Sequence, residues 1–427
     1  MALLSWISLI IVLATGSGTS QPIGKYTLSG ERLLYTDEAM DSIEKRFGLN
    51  GPRFTDAIID QSIWALKTRG KRMRFFSQWI CHQVFFEGSI ADGTLFDRVV
   101  PGQPLAGNSY KWCDCAHPGR NPMENASKNE RIGKPPPGWI YEPSLSGSGI
   151  PNIYKVNNRE LLGFIHKERV FSKKSVSSTL IDRYYAIGIA ISTTGGMTWN
   201  YCGDVILPAY DSLGDFNIRV GGCLERTTQE CIFSSNPAGV PYVIKNDSLY
   251  LYFNETADNT NWPYPSMAAA RLDSVIIHAR KFTASPGDWK KFSGTTFSED
   301  PLTGTGAALP GIQQYPNPND GFADLHSDAT YCSATGEYLL TVNEADFAPR
   351  VLASIKLYSS TDGIHWTFAT YAAGPDSADQ PFYSSFISEY GGAADDDHFV
   401  GQEFDILYAK RRGRNDMVTD LYYRHVR

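Results

Sequence analysis

The feature that most constrains this chain is a repeat. Three stretches, "IPNIYKVNNRELLGFIHKE", "VPYVIKNDSLYLYFNE" and "SDATYCSATGEYLLTVNE", each read as a strand, a polar turn and a second apolar strand. They end at Glu168, Glu255 and Glu344, so the endpoints lie 87 and 89 residues apart. A fourth, less regular copy runs through "FYSSFISEY" and "FVGQEFDILYAKR". Each repeat has room for about four strands, so one copy is a small sheet.

Composition agrees with a protein built of such sheets. Aromatics make up 13% of the 427 residues, and 38 Gly and 24 Pro punctuate the chain. Aromatic strands broken by Gly and Pro turns indicate an all-β fold. Sheets repeating at this period are the blades of a propeller. Four units follow residue 148 and the preceding segment supplies one more, which predicts a five-bladed β-propeller. The N-terminal segment, 21–147, is partly helical and contributes strands. "TDEAMDSIEKRFG" predicts a helix from Asp37 to Phe47, capped by Thr36 and stopped by Gly48. "FTDAIIDQSIWALKTRG" reads as a second helix or a strand. Residues 148–427 form the main body of blades.

The apolar run Leu3 to Ala14 is too short to span a membrane. With small residues after it, it reads as a secretory signal over residues 1–20. Three sequons, at Asn125, Asn246 and Asn254, agree with secretion. The seven cysteines would mostly pair in an oxidising compartment, with Cys223 and Cys231 able to close a short loop and one thiol left over. A net charge of -7 and the lack of a long basic block exclude a nucleic-acid surface. A soluble, extracellular monomer without a membrane partner is expected.

Two turns carry a second motif, "STTGGMTW" (Ser192 to Trp199) and "SSTDGIHW" (Ser359 to Trp366). An Asp in such a turn bonds backbone amides, Gly supplies positive φ, and Trp packs beneath. The role expected of both turns is structural. The second resembles the Asp-box of sialidases, and the first is an imperfect copy with Thr194 in place of Asp. Hairpins such as "LYLYFNE" look like the inner strands of five-bladed arabinanase, xylosidase and invertase-like glycosidases. The resemblance covers residues 148–427. It implies carbohydrate as the ligand class and acids at the ends of inner strands as the catalytic groups. The arabinanase-type proton donor is a Glu before a Gly-Pro. The corresponding "PAGVPYVIK" has no acid.

"ADLHSDATYC" is the densest cluster of titratable groups, with Asp324, His326 and Asp328 at alternate positions. Alternate residues of a strand share one face. Glycoside hydrolysis needs one protonated and one ionised acid, and crowded carboxyls supply such a split. Asp328 is the expected base or nucleophile and Asp324 its tuning partner. His326 is expected to bind a hydroxyl, hold an ion or act as the acid. Glu168 and Glu344 are candidate proton donors, ranked above Glu255 because that residue overlaps a sequon. His166, Glu403, Arg183 and the loop aromatics Trp262 and Tyr264 are candidate substrate contacts. "CDCAHP" and "ADDDHF" (Asp395 to His398) are weak as metal sites. No cofactor is required, and a structural Ca2+ in the propeller channel is the one ion considered.

The function expected is a secreted glycoside hydrolase acting on a polysaccharide or oligosaccharide. Two alternatives stand beside it. One is a polysaccharide lyase using His or Tyr with Arg, as in His326 with Tyr331 or His166 with Arg183. The other is a carbohydrate-binding propeller without catalysis.

Overall fold

A computed structural model describes residues 22–23, 25–47, 62–67, 73–79, 82–96, 98–99, 138, 140–141, 147–174, 179–196, 199–207, 232–235, 239–255, 264–315, 321–346, 352–376, 379–388, 399–412 and 419–427. Five mainly antiparallel sheets stand as five blades, with a parallel edge pair in the second and fourth. The first runs from Trp64–Lys67 through Met73–Trp79 and His82–Gly88 to Arg98–Val99. The second is built on two long strands, Leu161–Lys174 and Thr179–Ser192, with Gly147–Lys155 inside and Asn200–Ile206 outside. The third starts with Tyr242–Lys245, the fourth with Gly321–Asp324 and Ala329–Cys332. The fifth orders Gln380–Ile387, Phe404–Arg411 and Thr419–Val426, and its outermost strand is Arg32–Tyr35 from the other end of the chain.

That last pairing closes the ring. The amide of Thr27 also bonds the carbonyl of Arg427 at 2.9 Å. Both chain ends are thereby tied into one sheet, which removes an open edge. The architecture is the five-bladed β-propeller expected from the repeat. The residues before the first repeat supply a whole blade and the closing strand. The helix Asp37–Phe47 forms over the predicted span, capped by the Thr36 hydroxyl on the Ala39 amide. It buries Met40 against the fifth and first blades. In "FTDAIIDQSIWALKTRG" the described part is the strand Trp64–Lys67.

Five apolar clusters hold the ring, one between each pair of neighbouring blades. Trp64 and Trp199 share a cluster between the first and second blades. Phe164 packs with Tyr242 and Phe253 between the second and third. Tyr252, Tyr358 and Trp366 meet between the third and fourth. Phe386 and Phe404 join Ile355 and Leu357 between the fourth and fifth, and Phe75, Phe86 and Leu421 close the last gap. Middle strands touch apolar layers on both faces, so Phe404–Arg411 is buried almost throughout.

The Asp-box turns serve this packing. Ser360 accepts the amides of Asp362 and Gly363, and Asp362 accepts those of Ile364 and His365. Trp366 lies edge-on to Tyr252 of the next blade at 5.6 Å, and the Tyr252 hydroxyl donates to the Gly363 carbonyl. The turns are structural, as the sequence indicates. Cys202 and Cys332 are buried thiols. The other five cysteines lie outside the described residues, as do the signal segment, Asn125 and Asp395 to His398. No helix among the described residues is long and apolar enough to cross a membrane.

Candidate active site

The inner strands converge on a narrow channel. Its centre is lined by Ser62, Pro151, His166, Gly239, Val240, His326, Ser327 and Tyr383. Gly239 is obligatory there, because a Cβ would sit 1.9 Å from the Leu325 carbonyl. Ser62 donates to the Ser327 carbonyl at 3.1 Å, and Ser385 accepts the Ile63 amide. These bonds pin the first, fourth and fifth blades together. Three hydroxyl-bearing residues, Ser62, Ser327 and Tyr383, and no carboxylate line this centre. A hard cation such as Ca2+ needs six to eight oxygens, so this donor set does not suit one. Among the described residues no group of three or more His, Cys, Asp or Glu is arranged to hold a metal.

At one mouth the channel opens into a cavity of about 220 Å³. Asp324, His326, Gln380, Phe382, Tyr383, Asn343, Glu344 and Arg411 contribute to its wall. Strand geometry breaks down after Asp324, which ends its strand, and resumes at Ala329. The expected shared face for Asp324, His326 and Asp328 therefore does not form. Released from the pleat, His326 turns back on Asp324, with Nδ1 2.7 and 2.8 Å from the two carboxylate oxygens. Asn254, from the third blade, donates to Asp324 through its side-chain amide and accepts the Leu325 amide at 3.0 Å. Asp324 feels burial pushing its carboxyl up, but the charge and hydrogen bonds of His326, with Asn254, hold it below the usual carboxylate range.

Asp328 is turned away from the cavity. Its two oxygens accept the amides of Ala329 and Phe386 at 2.8 and 3.0 Å. It stitches the fourth blade to the inner strand of the fifth. Burial pushes its carboxyl up to about 7, against the pull of those two amides. The geometry makes it a structural residue.

His166 does face inward, as expected. Its ring lies 5.5 Å from that of His326 and 5.2 Å from Tyr185. Burial, reinforced by His326, pushes its imidazole down to about 3, against the weaker pull of Asp324. A neutral His166 can donate or accept a hydrogen bond without carrying charge.

The recurring glutamates have another role. Glu344 accepts Lys356 at 2.5 Å, Tyr358 at 2.6 Å and Tyr315 at 3.2 Å. It pairs across the sheet with Ala323, whereas Asp324 pairs with Asn343, so Glu344 and Asp324 project from opposite faces of the blade. Glu255 is fully buried with Lys291, 2.7 Å away, and accepts the Gly306 amide. The second blade repeats the device with Lys167 and Asp204 at 2.9 Å, and the fifth with Lys410 and Glu31 at 3.0 Å. Four blades thus hold a lysine–carboxylate pair, and in the third and fourth blades the carboxylate is the repeated glutamate, Glu255 and Glu344. Glu168 occupies the long strand opposite Tyr185, and Arg183 opposite Val170. Their side chains lie outside the described residues, as does Trp262.

Two further candidates fall away from the cavity. Glu403 pairs with Arg427 at 3.5 Å beside Phe404. The cavity end of that strand is Arg411, eight positions on, or roughly 26 Å at 3.3 Å per residue. Tyr264 donates its hydroxyl to the Gly306 carbonyl at 2.8 Å, an in-fold contact. Asn254, 1% exposed and bonded through both side-chain atoms, cannot carry a glycan in this fold. Asn246 sits exposed in a tight turn at φ 49°.

Tyr383 and Arg411 were not foreseen. Register slips between Phe382 and Ser385, a bulge that leaves Tyr383 at φ 52°. Such a conformation is costly for a non-glycine residue. It sets the Tyr383 ring edge-on to His326 at 5.9 Å. The aromatic-rich "QPFYSSF" was the available signal, but no sequence rule places a bulge there.

The sequence matches no family model and no curated protein. Solved structures resemble it in outline. The catalytic domain of a Coprinopsis cinerea GH62 α-L-arabinofuranosidase covers 94% of this chain and 96% of its own at 10% identity and a TM-score of 0.40. An endo-1,5-α-L-arabinanase from Thermotoga petrophila covers 86% and 71% at 12% identity and 0.40. An N-acetylgalactosamine deacetylase from F. plautii, in complex with blood group B trisaccharide, covers 88% and 91% at 12% identity and 0.42. Similarity this distant carries no information about activity. The fold assignment rests on the strand order itself.

Proposed function

We propose that the chain is a secreted carbohydrate-active hydrolase that cleaves a glycosidic bond of a polysaccharide or oligosaccharide at the channel mouth. The observation that carries it is the Asp324–His326 pair on the cavity wall, 2.7 Å apart. A carboxylate on Nδ1 fixes the ring and stabilises the imidazolium, so proton exchange takes place at Nε2. A protonated His326 donates from there to the glycosidic oxygen as the anomeric C–O bond breaks, and a water adds to the anomeric carbon and gives up a proton, which restores the proton count. Asp324 serves as its positioning partner. This places the acid role on an imidazole, where the two-carboxylate scheme would use a glutamate. Secretion is supported by the apolar start of the chain and the exposed sequon at Asn246. The proposal invokes no cofactor.

One observation favours a second reading. Tyr383 and Arg411 share the cavity with His326, and a lyase needs a His or Tyr base beside a cation. Purified protein assayed on a polysaccharide panel separates the two. New reducing ends without an unsaturated sugar's ultraviolet absorbance, lost in both Asp324→Asn and His326→Asn, are expected. Absorbance with each cut would establish the lyase. Cleavage that survives His326→Asn would sink both readings.

A further inference from the structure

Two asparagines hold the loop that carries the Asp324–His326 pair. Asn254 is bonded through both side-chain atoms, to Asp324 and to the Leu325 amide. Asn343 uses only one of its two. Its Nδ2 donates to the His326 carbonyl at 2.9 Å, and its Oδ1 has no hydrogen-bond partner. A backbone carbonyl can only accept, so the atom facing it is the amide nitrogen and the unpartnered atom is the oxygen. Asn343 is 5% exposed and lies on the cavity wall. It is the cross-strand partner of Asp324, so the two side chains stand on one face of the blade. A buried acceptor left unpaired is costly, and such a group calls for a ligand or a role.

The surroundings limit what can pair with this oxygen. It and the neighbouring Asp324 carboxylate are both acceptors, so an anionic group is repelled and a donor is favoured. The oxygen is itself covered, so a donor reaches it only when seated against the wall. A sugar ring filling the cavity is seated in that way, and its hydroxyls are donors. A volume of about 220 Å³ is below the roughly 300–1,000 Å³ of drug-sized pockets, so one small unit of a longer ligand enters. We infer that Asn343 is a specificity-determining residue: its Oδ1 accepts one ring hydroxyl of the sugar unit bound beside His326. A unit that lacks this hydroxyl, or carries it blocked as an ether or ester, leaves the buried acceptor unpaired and is rejected. The Nδ2 bond ties this recognition to the backbone of the residue that exchanges the proton. The inference rests on the functional reading above and names the chemistry by which the site selects its substrate.

The test is binding to the full-length protein by ligand-observed NMR titration, which needs no turnover. The probes are the methyl glycosides of xylose, arabinose, galactose, glucose and mannose, each with its monodeoxy forms. At least one glycoside is expected to bind, and removal of one particular hydroxyl is expected to weaken it about tenfold or more. Asn343→Leu is expected to abolish that difference. Asn343→Asp keeps an acceptor but loses the donor to His326, so it is expected to retain the difference. A residue that only holds the His326 carbonyl would instead weaken every probe alike in both variants. That uniform loss, binding of no glycoside, deoxy forms that all bind within about twofold of the parent, or a difference that survives Asn343→Leu would overturn the inference. Should Asn343→Leu fail to fold, a crystal structure of the wild-type protein with the bound glycoside decides. A ring hydroxyl within about 3.2 Å of Oδ1 is expected, and a water alone on that oxygen would overturn the inference. Selective binding without cleavage of any glycan would leave this site standing while removing the hydrolase reading. Cleavage with no hydroxyl preference would do the reverse.

Discussion

Two sets of carboxylates in this molecule have the same chemistry and opposite circumstances. Glu255 and Glu344 sit inside blades, each against a lysine from another strand of the same sheet. Asp324 sits where a strand ends, against a histidine two residues away, on the wall of a cavity. The first arrangement surrounds the acid with donors, even at Glu344, which also reaches the cavity wall. The second ties the acid to a group that can exchange protons, next to open space. The partner, more than residue type, therefore separates the structural acid from the functional one.

The comparison can be broken at the blade pairs first. Lys291 and Glu255 are both fully buried, and Lys291 also donates to the carbonyls of Leu207 and Gly304. Lys291→Met leaves an uncompensated carboxylate and is expected to cost about 3–5 kcal/mol, read by denaturant unfolding. Pairing it with Glu255→Met is expected to recover much of that loss. A single variant as stable as the parent would mean the pair is not the blade's structural element.

The channel histidine gives a smaller effect with a definite sign. His166 is pushed down to about 3 from 6.5. Between those values the unfolded chain binds a proton that the folded chain does not, so stability falls as pH drops through that window. At pH 5 this amounts to about 2 kcal/mol, at 1.36 kcal/mol per unit. Asp328 works against it: raised from 3.8 to about 7, it makes stability fall as pH rises between those values. Between about pH 4 and 6.5 the two slopes nearly cancel, so His166→Asn is expected to make stability fall as pH rises through that range, and Asp328→Asn to make it rise. A profile unchanged in both variants would show that neither group is held as described. The smallest effect is a mass difference. Protein from a secretory host is expected to carry a glycan at Asn246 and none at Asn254, checked by peptide mass spectrometry. Modification at Asn254 would contradict its bonds to Asp324 and Leu325.

Much of the fold was legible because repetition survives in a sequence. The 87- and 89-residue steps mark the blades, and the Asp-box turns mark where they dock. The site was legible only as a neighbourhood. Asp324, His326 and Asp328 stand out together in the sequence, but an alternating pattern carries the assumption of an unbroken strand. The strand stops at Asp324, and that separates Asp328 from the other two. The lysines that neutralise the repeated glutamates come from other strands, at 36 and 12 residues' distance, so no local pattern announces them. Tyr383 depends on a bulge, and Arg411 looks from sequence like one charge in "KRRGR".

The most direct test of the central claim compares His326→Asn with Glu344→Gln on one oligosaccharide the wild-type protein cleaves, after both variants are shown to be folded. The account predicts a loss of about 10²–10⁴ in kcat for His326→Asn, as for removal of a general acid. For Glu344→Gln it predicts lower stability with near-normal turnover in the folded fraction. The reverse pattern, with activity lost at Glu344 and kept at His326, would return the proton donor to the repeated glutamate and contradict the account.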